Sequence, residues 1–310
     1  MTCVNNMSSR VVAIEGGGTK FVLSIGNDVA TATRHVIPTT TPEETMRSIK
    51  GVIAREHDEL PVTAIGVATF GPIDIDRQSP SYGEVGVTPK QGWQGYNFVT
   101  DLGLSFGLPV LVDSDVNAAA LAEASVESRT QEMVNGEDPC RHLVYVTVGT
   151  GIGVGVVHSG AIANGFMHPE IGHIAVPRHP QDREFKGACP YHADCIEGLA
   201  SGPSVIKRWG QSLSELGSDH FGHDLEAFYL GQLCATLILN HMPTRIVLGG
   251  GVSKTPGLIQ RVRGQCRLLL NGYLPSVDTD EALERLIVRP VLGEHSGISG
   301  AYILANRALS

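Results

Sequence analysis

Two cysteines and two histidines lie close enough along the chain to hold one metal ion. Cys189, His192 and Cys195 follow a Cys-x-x-His-x-x-Cys spacing, and His173 precedes them by a short segment. Thiolate and imidazole are the ligands that zinc takes in tetrahedral sites, and four protein ligands leave no position for a reacting water. The pattern predicts a structural zinc site, and the alternative is a loop of unconnected polar residues.

Three glycine-rich turns offer backbone N–H groups to a phosphate. Strand-like segments flank Gly16–Thr19 and Gly149–Gly153, and Gly249–Gly251 follows a third apolar run. Only glycine lets the chain approach a phosphate closely enough for several N–H groups to converge on it. A single glycine turn is commonly only a turn, but a matched pair and a third turn together favour nucleotide binding. The predicted nucleotide contacts are Gly17, Gly18, Thr19, Lys20, Gly149, Thr150, Gly151, Gly249, Gly250 and Gly251.

These turns are not of the two commonest nucleotide-binding types. None has the Gly-x-x-x-x-Gly-Lys-Ser/Thr spacing of a P-loop. The first turn joins two strands, whereas a dinucleotide-binding Gly-x-Gly-x-x-Gly motif joins a strand to a helix. A nicotinamide-dependent dehydrogenase is therefore disfavoured.

One aspartate, Asp115, lies where a short apolar run meets an alanine-rich helical pattern. The run Pro109–Val112 predicts a buried strand, and Asp115 begins the helix. Ligands gather at the carboxyl ends of strands in open α/β sheets, where a carboxylate can accept a proton. The pattern alone is equally compatible with a helix cap, a role that Asp113 or Ser114 could also fill.

The elements that must position these residues repeat one pattern. Val11–Ile25 and His142–His158 each predict a strand, a glycine turn and a second strand. Two such hairpins predict a duplicated, two-lobed α/β architecture.

Further segments fill in this framework. A capping box at Thr41–Glu44 predicts a helix start, and Leu225–His241 has an apolar helical pattern. Val62–Thr69 predicts a buried strand. The polar segment Glu127–Asp138 is expected to be a surface connection between the lobes.

Composition excludes several classes of function. The chain has 310 residues, 42% of them hydrophobic, with a net charge of −9 and no run of basic residues. A nucleic-acid partner is therefore not expected. No apolar stretch approaches the roughly 20 residues needed to span a membrane, so a cytoplasmic protein is expected. Six cysteines are too few for a disulfide scaffold at this length, and Cys234 and Cys266 have the apolar surroundings of buried thiols.

The order of these motifs resembles the ROK family (repressors, open reading frames, kinases), from about Val11 to nearly the C-terminus. The resemblance is carried by the first two glycine turns, Asp115-Val-Asn, Glu170-Ile-Gly-His173 and the Cys189 cluster. Bacterial fructokinases of the family share Phe70-Gly-Pro-Ile-Asp74, Thr88-Pro-Lys90 and Cys-Pro-Tyr-His-x-Asp-Cys. The resemblance implies an actin-like (ribonuclease-H-like) two-lobed ATPase/sugar kinase fold with a central cleft.

The resemblance also implies roles for individual residues. Asp115 would be the catalytic base, and ATP, Mg²⁺ and a structural Zn²⁺ would be the cofactors. Family kinases usually begin the first loop with aspartate where this chain has Glu15, so a direct bond between Glu15 and Mg²⁺ is in doubt. Zinc held by His173, Cys189, His192 and Cys195 would pre-organise the sugar pocket. The residues expected to bind sugar are Gly71, Pro72, Asn117, Glu170, His173 and Glu197.

The activity implied is ATP-dependent transfer of the γ-phosphoryl group to O6 of D-fructose, by a homodimer. Mannose, glucose or an N-acetylhexosamine is the alternative acceptor. A non-catalytic sugar sensor or repressor is the remote alternative, because Met1–Arg10 is too short for the DNA-binding domain of such repressors. The expected lobes are residues 1–116, joined by a C-terminal helix at 295–310, and residues 117–294.

Overall fold

The computed structural model describes residues 9–130 and 142–309, with side chains throughout except at 127–130. The chain divides into two compact units. The first contains the chain up to Ala122, the short segment Asn164–His168, and the chain from Glu294 onward. The second contains Glu123–Ala163 and Pro169–Gly293.

A five-stranded sheet forms the centre of the first unit, in the order β3-β2-β1-β4-β5. Its strands are β1 (Val11–Gly16), β2 (Lys20–Gly26), β3 (Thr33–Pro38), β4 (Ile65–Thr69) and β5 (Val110–Ser114). The first three strands are antiparallel, whereas β1, β4 and β5 run parallel. Gly16 pairs with Thr69 and Thr69 with Ser114, so the segments that follow these strands leave the sheet at one edge.

Four helices cover this sheet or begin beside it. They are α1 (Pro42–Glu59), α2 (Phe98–Phe106), α3 (Asp115–Thr130) and α9 (Ser296–Arg307). The side chain of Thr41 accepts a hydrogen bond from the Glu44 N–H and so caps α1, as predicted. Helix α9 packs on β1 and β4. A Cβ on Gly66 would lie 2.1 Å from the Ala301 carbonyl oxygen, so glycine is required for this close approach.

The second unit repeats the strand pattern of the first. Its strands are β6 (Leu143–Val148), β7 (Ile152–His158), β8 (Ala161–Ile162), β9 (Arg245–Gly249) and β10 (Ile287–Val288). Their order is β10-β9-β6-β7-β8, with β6, β7 and β8 antiparallel and β6, β9 and β10 parallel. The duplicated α/β architecture predicted from the two hairpins is confirmed.

The described part of this unit contains five helices, and most residues of α6 are buried in its core. They are α4 (Ile196–Ala200), α5 (Gly202–Trp209), α6 (Phe221–His241), α7 (Leu258–Leu270) and α8 (Asp280–Leu286). Cys234 and Cys266 are buried in this core, as expected. No helix in the described ranges is long and apolar enough to cross a membrane.

Two expectations about local structure need correction. The polar segment Glu127–Asp138 was expected to be a surface connection, but 127–130 continue α3, and its remaining residues lie outside the described ranges. The strand predicted from Val62 begins only at Ile65. Val62 is nevertheless buried, which explains why its apolar character was mistaken for a strand position.

Candidate functional site

Asp115 is the first residue of α3 and follows β5 directly. Its neighbour Ser114 performs the capping role, because the Ser114 Oγ accepts a hydrogen bond from the Asn117 N–H at 3.3 Å. The Asp115 Oδ1 accepts the adjacent Val116 N–H at 2.9 Å. The Asn117 N–H of the first turn is therefore capped by Ser114 and not by the Asp115 carboxylate.

Burial raises the pKa of Asp115 to about 6. The Val116 N–H and the positive charge of Lys90 act in the opposite direction, because both favour the ionised carboxylate. The Lys90 ammonium lies over the Phe70 ring, 4.1 Å from its centroid. Lys90 belongs to the Thr88-Pro-Lys90 motif, but the motif did not predict that its charge lowers the pKa of Asp115.

Glu15 is the second carboxylate at this edge of the sheet. Burial, followed by the negative charge of Asp115, raises its pKa to about 7. The carboxylate accepts a hydrogen bond from the Ile298 N–H, in the first turn of α9. Gly297 leaves the room for this contact, since a Cβ there would lie 2.3 Å from the Glu15 Oε1. Glu15 is thus held at a helix N-terminus, where a negative charge is stabilised.

Two buried polar atoms at the same edge lack a hydrogen-bond partner among the described residues: the Thr69 Oγ1 and the Asn117 Oδ1. The amide nitrogen of Asn117 donates to the Asp113 Oδ1 at 2.7 Å and to the Asn164 Oδ1 at 3.1 Å. The amide is therefore fixed with its oxygen unsatisfied. Such atoms are rare in native structures and fit a polar ligand. Thr69, at the end of a buried strand, was missed because nothing in its local sequence marks it.

The turn Gly71-Pro72 is held by His168, a residue that no sequence motif of the chain singles out. His168 is only 6% exposed, and its Nε2 accepts the Ile73 N–H at 3.2 Å. A Cβ on Gly71 would lie 3.0 Å from the His168 ring. His168 therefore packs directly against the predicted sugar-binding turn.

The first glycine turn presents its tip to solvent. Its ends are fixed because the Gly17 N–H donates to the Lys20 carbonyl at 2.9 Å. Thr39 braces it from β3's side, donating its hydroxyl to the Gly17 carbonyl at 2.8 Å and its N–H to the Thr19 carbonyl at 3.0 Å. Gly18, Thr19 and Lys20 are exposed. The turn is therefore fixed by its hydrogen bonds to Thr39, and its tip is open to solvent.

The second and third glycine turns come together in the second unit. The Gly149 N–H donates to the Gly151 carbonyl at 2.9 Å, which closes the second turn. Gly250 has a φ of +87°, and a Cβ there would lie 2.5 Å from the backbone nitrogen of Val148. Because Val148 directly precedes Gly149, the third turn packs against the start of the second. Thr150 and Gly251 are exposed.

The predicted metal ligands converge. One ligand atom from each of His173, Cys189, His192 and Cys195 lies within 4.8 Å of the others. The His173 Nδ1 is 3.7 Å from the Cys189 Sγ, 3.5 Å from the Cys195 Sγ and 3.3 Å from the His192 Nδ1. Zinc bond lengths of about 2.0 Å to nitrogen and about 2.3 Å to sulfur imply tetrahedral edges of about 3.3 to 3.8 Å. The four side chains therefore fit a zinc ion.

The two predicted sugar-binding glutamates have different surroundings. The Glu170 Oε2 lies 4.0 Å from the Nε2 of His173, on the ring edge opposite the metal-facing Nδ1. The Glu197 Oε2 accepts the Ile152 N–H at 2.9 Å, at the end of the second glycine turn. The contact between Glu197 and this turn was not foreseen.

Two α/β units built on sheets of the same strand pattern define the actin-like class of ATPases and sugar kinases. The ROK family model matches residues 11–308, and the chain belongs to the ROK family. It is 43% identical to a fructokinase from Zymomonas mobilis, over 94% of this chain and 95% of that protein. It is 38% identical to a putative fructokinase from Bacillus subtilis, over 96% and 95%. A ROK hexokinase structure from Thermus thermophilus superposes with a TM-score of 0.73 at 27% identity, over 97% of this chain and 99% of that one.

Proposed function

We propose that this protein is an ATP-dependent fructokinase that transfers the γ-phosphoryl group of ATP to O6 of D-fructose, producing fructose 6-phosphate and ADP. The observation that carries the proposal is the similarity over nearly the full length to a fructokinase, at 43% identity, and to a putative fructokinase, at 38% identity. The duplicated fold, the glycine turns and the partly buried aspartate at a strand end support the same chemistry.

Asp115 is the proposed general base. It accepts the proton of the O6 hydroxyl while an O6 lone pair attacks the γ-phosphorus, and the bond from that phosphorus to the β,γ-bridging oxygen breaks with its electrons leaving on ADP. A pKa of about 6 suits this task, because the carboxylate is mostly ionised at pH 7 yet more basic than an ordinary aspartate. Because Ser114 caps the Asn117 N–H, Asp115 is not needed for that bond.

Each proposed sugar ligand offers a hydrogen-bond acceptor, a hydrogen-bond donor or a backbone turn against which the sugar can pack. The unsatisfied Asn117 Oδ1 suits a sugar hydroxyl, and Gly71 and Pro72, held by His168, shape the adjoining wall. In the second unit Glu170, His173 and Glu197 are the proposed partners of further hydroxyls, and the Oε1 of Glu197 is the oxygen we assign to sugar. Several positioned acceptors orient a hexose so that one hydroxyl alone reacts.

Each of the three glycine turns is proposed to contact ATP, with Mg²⁺ carried on the phosphates. The exposed tips of the first two turns offer N–H groups and the hydroxyls of Thr19 and Thr150, and Gly249–Gly251 is assigned to the adenosine. Glu15 is assigned an indirect role toward Mg²⁺, through water, because its carboxylate is held at the start of α9.

Zinc is the metal proposed for the Cys/His cluster. His173, Cys189, His192 and Cys195 complete a tetrahedron, so the ion would be structural and would supply no reacting water. By fixing His173, it would also fix the neighbouring Glu170 for sugar binding. A homodimer and a cytoplasmic location stay predictions.

The activity of the protein should fall at acidic pH. Asp115 must be ionised to accept a proton, and since its pKa is about 6, the active fraction decreases as pH falls through that value and approaches a tenfold loss per pH unit below it. The measurement is kcat/KM for fructose from pH 5 to 8 at saturating Mg-ATP, with zinc content checked at each pH. A profile that is flat down to pH 5 would exclude Asp115 as a base with this pKa.

A hexose panel tests the proposed specificity. Fructose, mannose, glucose and N-acetylmannosamine are each supplied with ATP and Mg²⁺, and ADP release is coupled to a spectroscopic signal. We expect the highest kcat/KM for fructose. Rapid turnover of glucose without turnover of fructose would show that the protein is a sugar kinase but that fructose is not its substrate. Binding of sugars without any ADP release would instead favour a non-catalytic sensor.

A further inference from the structure

Ile152, the residue that leaves the second glycine turn, is contacted by both chain segments that carry metal ligands. Its N–H donates to the Glu197 Oε2 at 2.9 Å, and Glu197 follows Cys195 closely. Its carbonyl oxygen lies against Gly172, where a Cβ would come within 1.8 Å of that oxygen. Gly172 directly precedes the ligand His173. The backbone of Ile152 is therefore contacted by Glu197 at its N–H and by Gly172 at its carbonyl.

The carboxylate of Glu197 also fills the space beside the turn itself. A Cβ on Gly151 would lie 2.5 Å from the Glu197 Oε2, so glycine is needed there to accommodate the carboxylate. At the other end of the turn, the Gly149 carbonyl accepts the Gly202 N–H at 2.7 Å. The segment that begins at Cys195 thus holds the turn at both ends.

A metal ion would close these contacts into a ring. The His173 Nδ1 and the Cys195 Sγ lie 3.5 Å apart and would both bind it. From His173 the ring continues through Gly172 to Ile152, and from Cys195 through Glu197 to Ile152. Because the links are close contacts and covalent bonds, we expect a change in the distance between the two ligands to shift the backbone of Ile152.

We propose that Glu197 is a positioning residue for the second glycine turn, through which Zn²⁺ in the Cys/His site increases the affinity of that turn for ATP phosphates. The proposal rests on the proposed function, in which this turn binds those phosphates. It adds that the metal site acts on nucleotide binding as well as on the sugar pocket. Coupling between two binding sites is reciprocal, so the nucleotide must also retain the zinc.

The reciprocal effect can be measured without catalysis. The affinity of the full chain for Zn²⁺ is measured by equilibrium competition with a colorimetric chelator, with and without the ATP analogue AMPPNP and Mg²⁺. We expect AMPPNP to tighten zinc binding at least about fivefold, the lower end of ordinary coupling between sites. AMP, which lacks the β- and γ-phosphates, should not tighten it. Equal zinc affinities with and without AMPPNP would overturn the proposal.

Variants separate positioning from general stability. Glu197→Ala should abolish the effect of AMPPNP on zinc affinity, and Glu197→Gln, whose amide oxygen can still accept the Ile152 N–H, should retain part of it. Glu184→Gln, which changes an exposed carboxylate of the second unit, is the control and should retain the full ratio of zinc affinities. If Glu197→Ala does not fold, Gly151→Ala displaces the same carboxylate from the turn. An unchanged ratio in the variant that folds would show that Glu197 carries no coupling.

Calorimetry distinguishes failure of this proposal from failure of the proposed function. If the zinc-loaded protein does not bind AMPPNP, the assignment of the turn to ATP is wrong. If it binds AMPPNP but its zinc affinity does not change, the ATP site stands and only the coupling is wrong.

Discussion

Replacing Asp115 with Asn should lower kcat by about 10²- to 10⁴-fold, the usual contribution of a positioned general base. The amide keeps the size of the carboxylate and can still accept the Val116 N–H, but it cannot take the proton of a sugar hydroxyl. Steady-state kinetics with fructose and calorimetry with AMPPNP measure the effect. Binding of AMPPNP should change little, because the glycine turns are untouched.

Ser114→Ala is the matched control for this variant. It removes the cap of α3 one residue away, which should cost about 1 kcal/mol of stability. Its kcat should stay close to that of the unmodified protein, because Ser114 is given no role in the chemistry. If Asp115→Asn retains most of the activity, Asp115 is not the base. If Ser114→Ala loses as much activity as Asp115→Asn, both losses come from a disturbed first turn of α3, and the result does not support Asp115 as the base.

The parts of the site that sequence predicted are those built by local spacing. Cys189, His192 and Cys195 stand on one short loop, so their spacing nearly determines that they can share a metal. The glycine hairpins are local for the same reason, since a turn and its two strands form one continuous segment. His173 lies on a separate segment, so its place in the cluster depends on a contact between two segments. It was predicted as the fourth ligand because a histidine completes a tetrahedral zinc site with the other three.

The parts that sequence missed depend on contacts between distant segments. His168 and Ile73 are 95 residues apart, and Glu197 and Ile152 are 45 apart. Neither contact leaves a periodicity or a motif, because each one joins a single side chain to a backbone N–H. The surroundings of Glu15 were equally hidden, since the helix that receives its carboxylate begins only at Ser296. Such contacts follow from the order of strands in the sheet, which a hydrophobic pattern does not specify.

Gly250→Ala should destabilise the protein by about 3 kcal/mol or more. The residue has a φ of +87°, where a side chain is strained, and its Cβ would lie 2.4 Å from the carbonyl oxygen of Val148. That oxygen belongs to the backbone at the end of β6, so it cannot move aside as the end of a flexible side chain would. Because Val148 leads into the second glycine turn, the shift should also weaken binding of AMPPNP. Urea unfolding and calorimetry measure the two effects.

Gly251→Ala is the control on the neighbouring residue. A Cβ there meets nothing within 4 Å, and its φ of −64° suits alanine. Stability should therefore change by less than about 0.5 kcal/mol. If the third turn contacts adenosine, this variant will still weaken AMPPNP binding, because the added methyl group then meets the nucleotide and not the protein. Loss of affinity without loss of stability in Gly251→Ala would thus support the assignment, whereas normal affinity would place the adenosine elsewhere.

Unchanged stability in Gly250→Ala would mean that the packing of this turn against β6 is looser than its geometry implies.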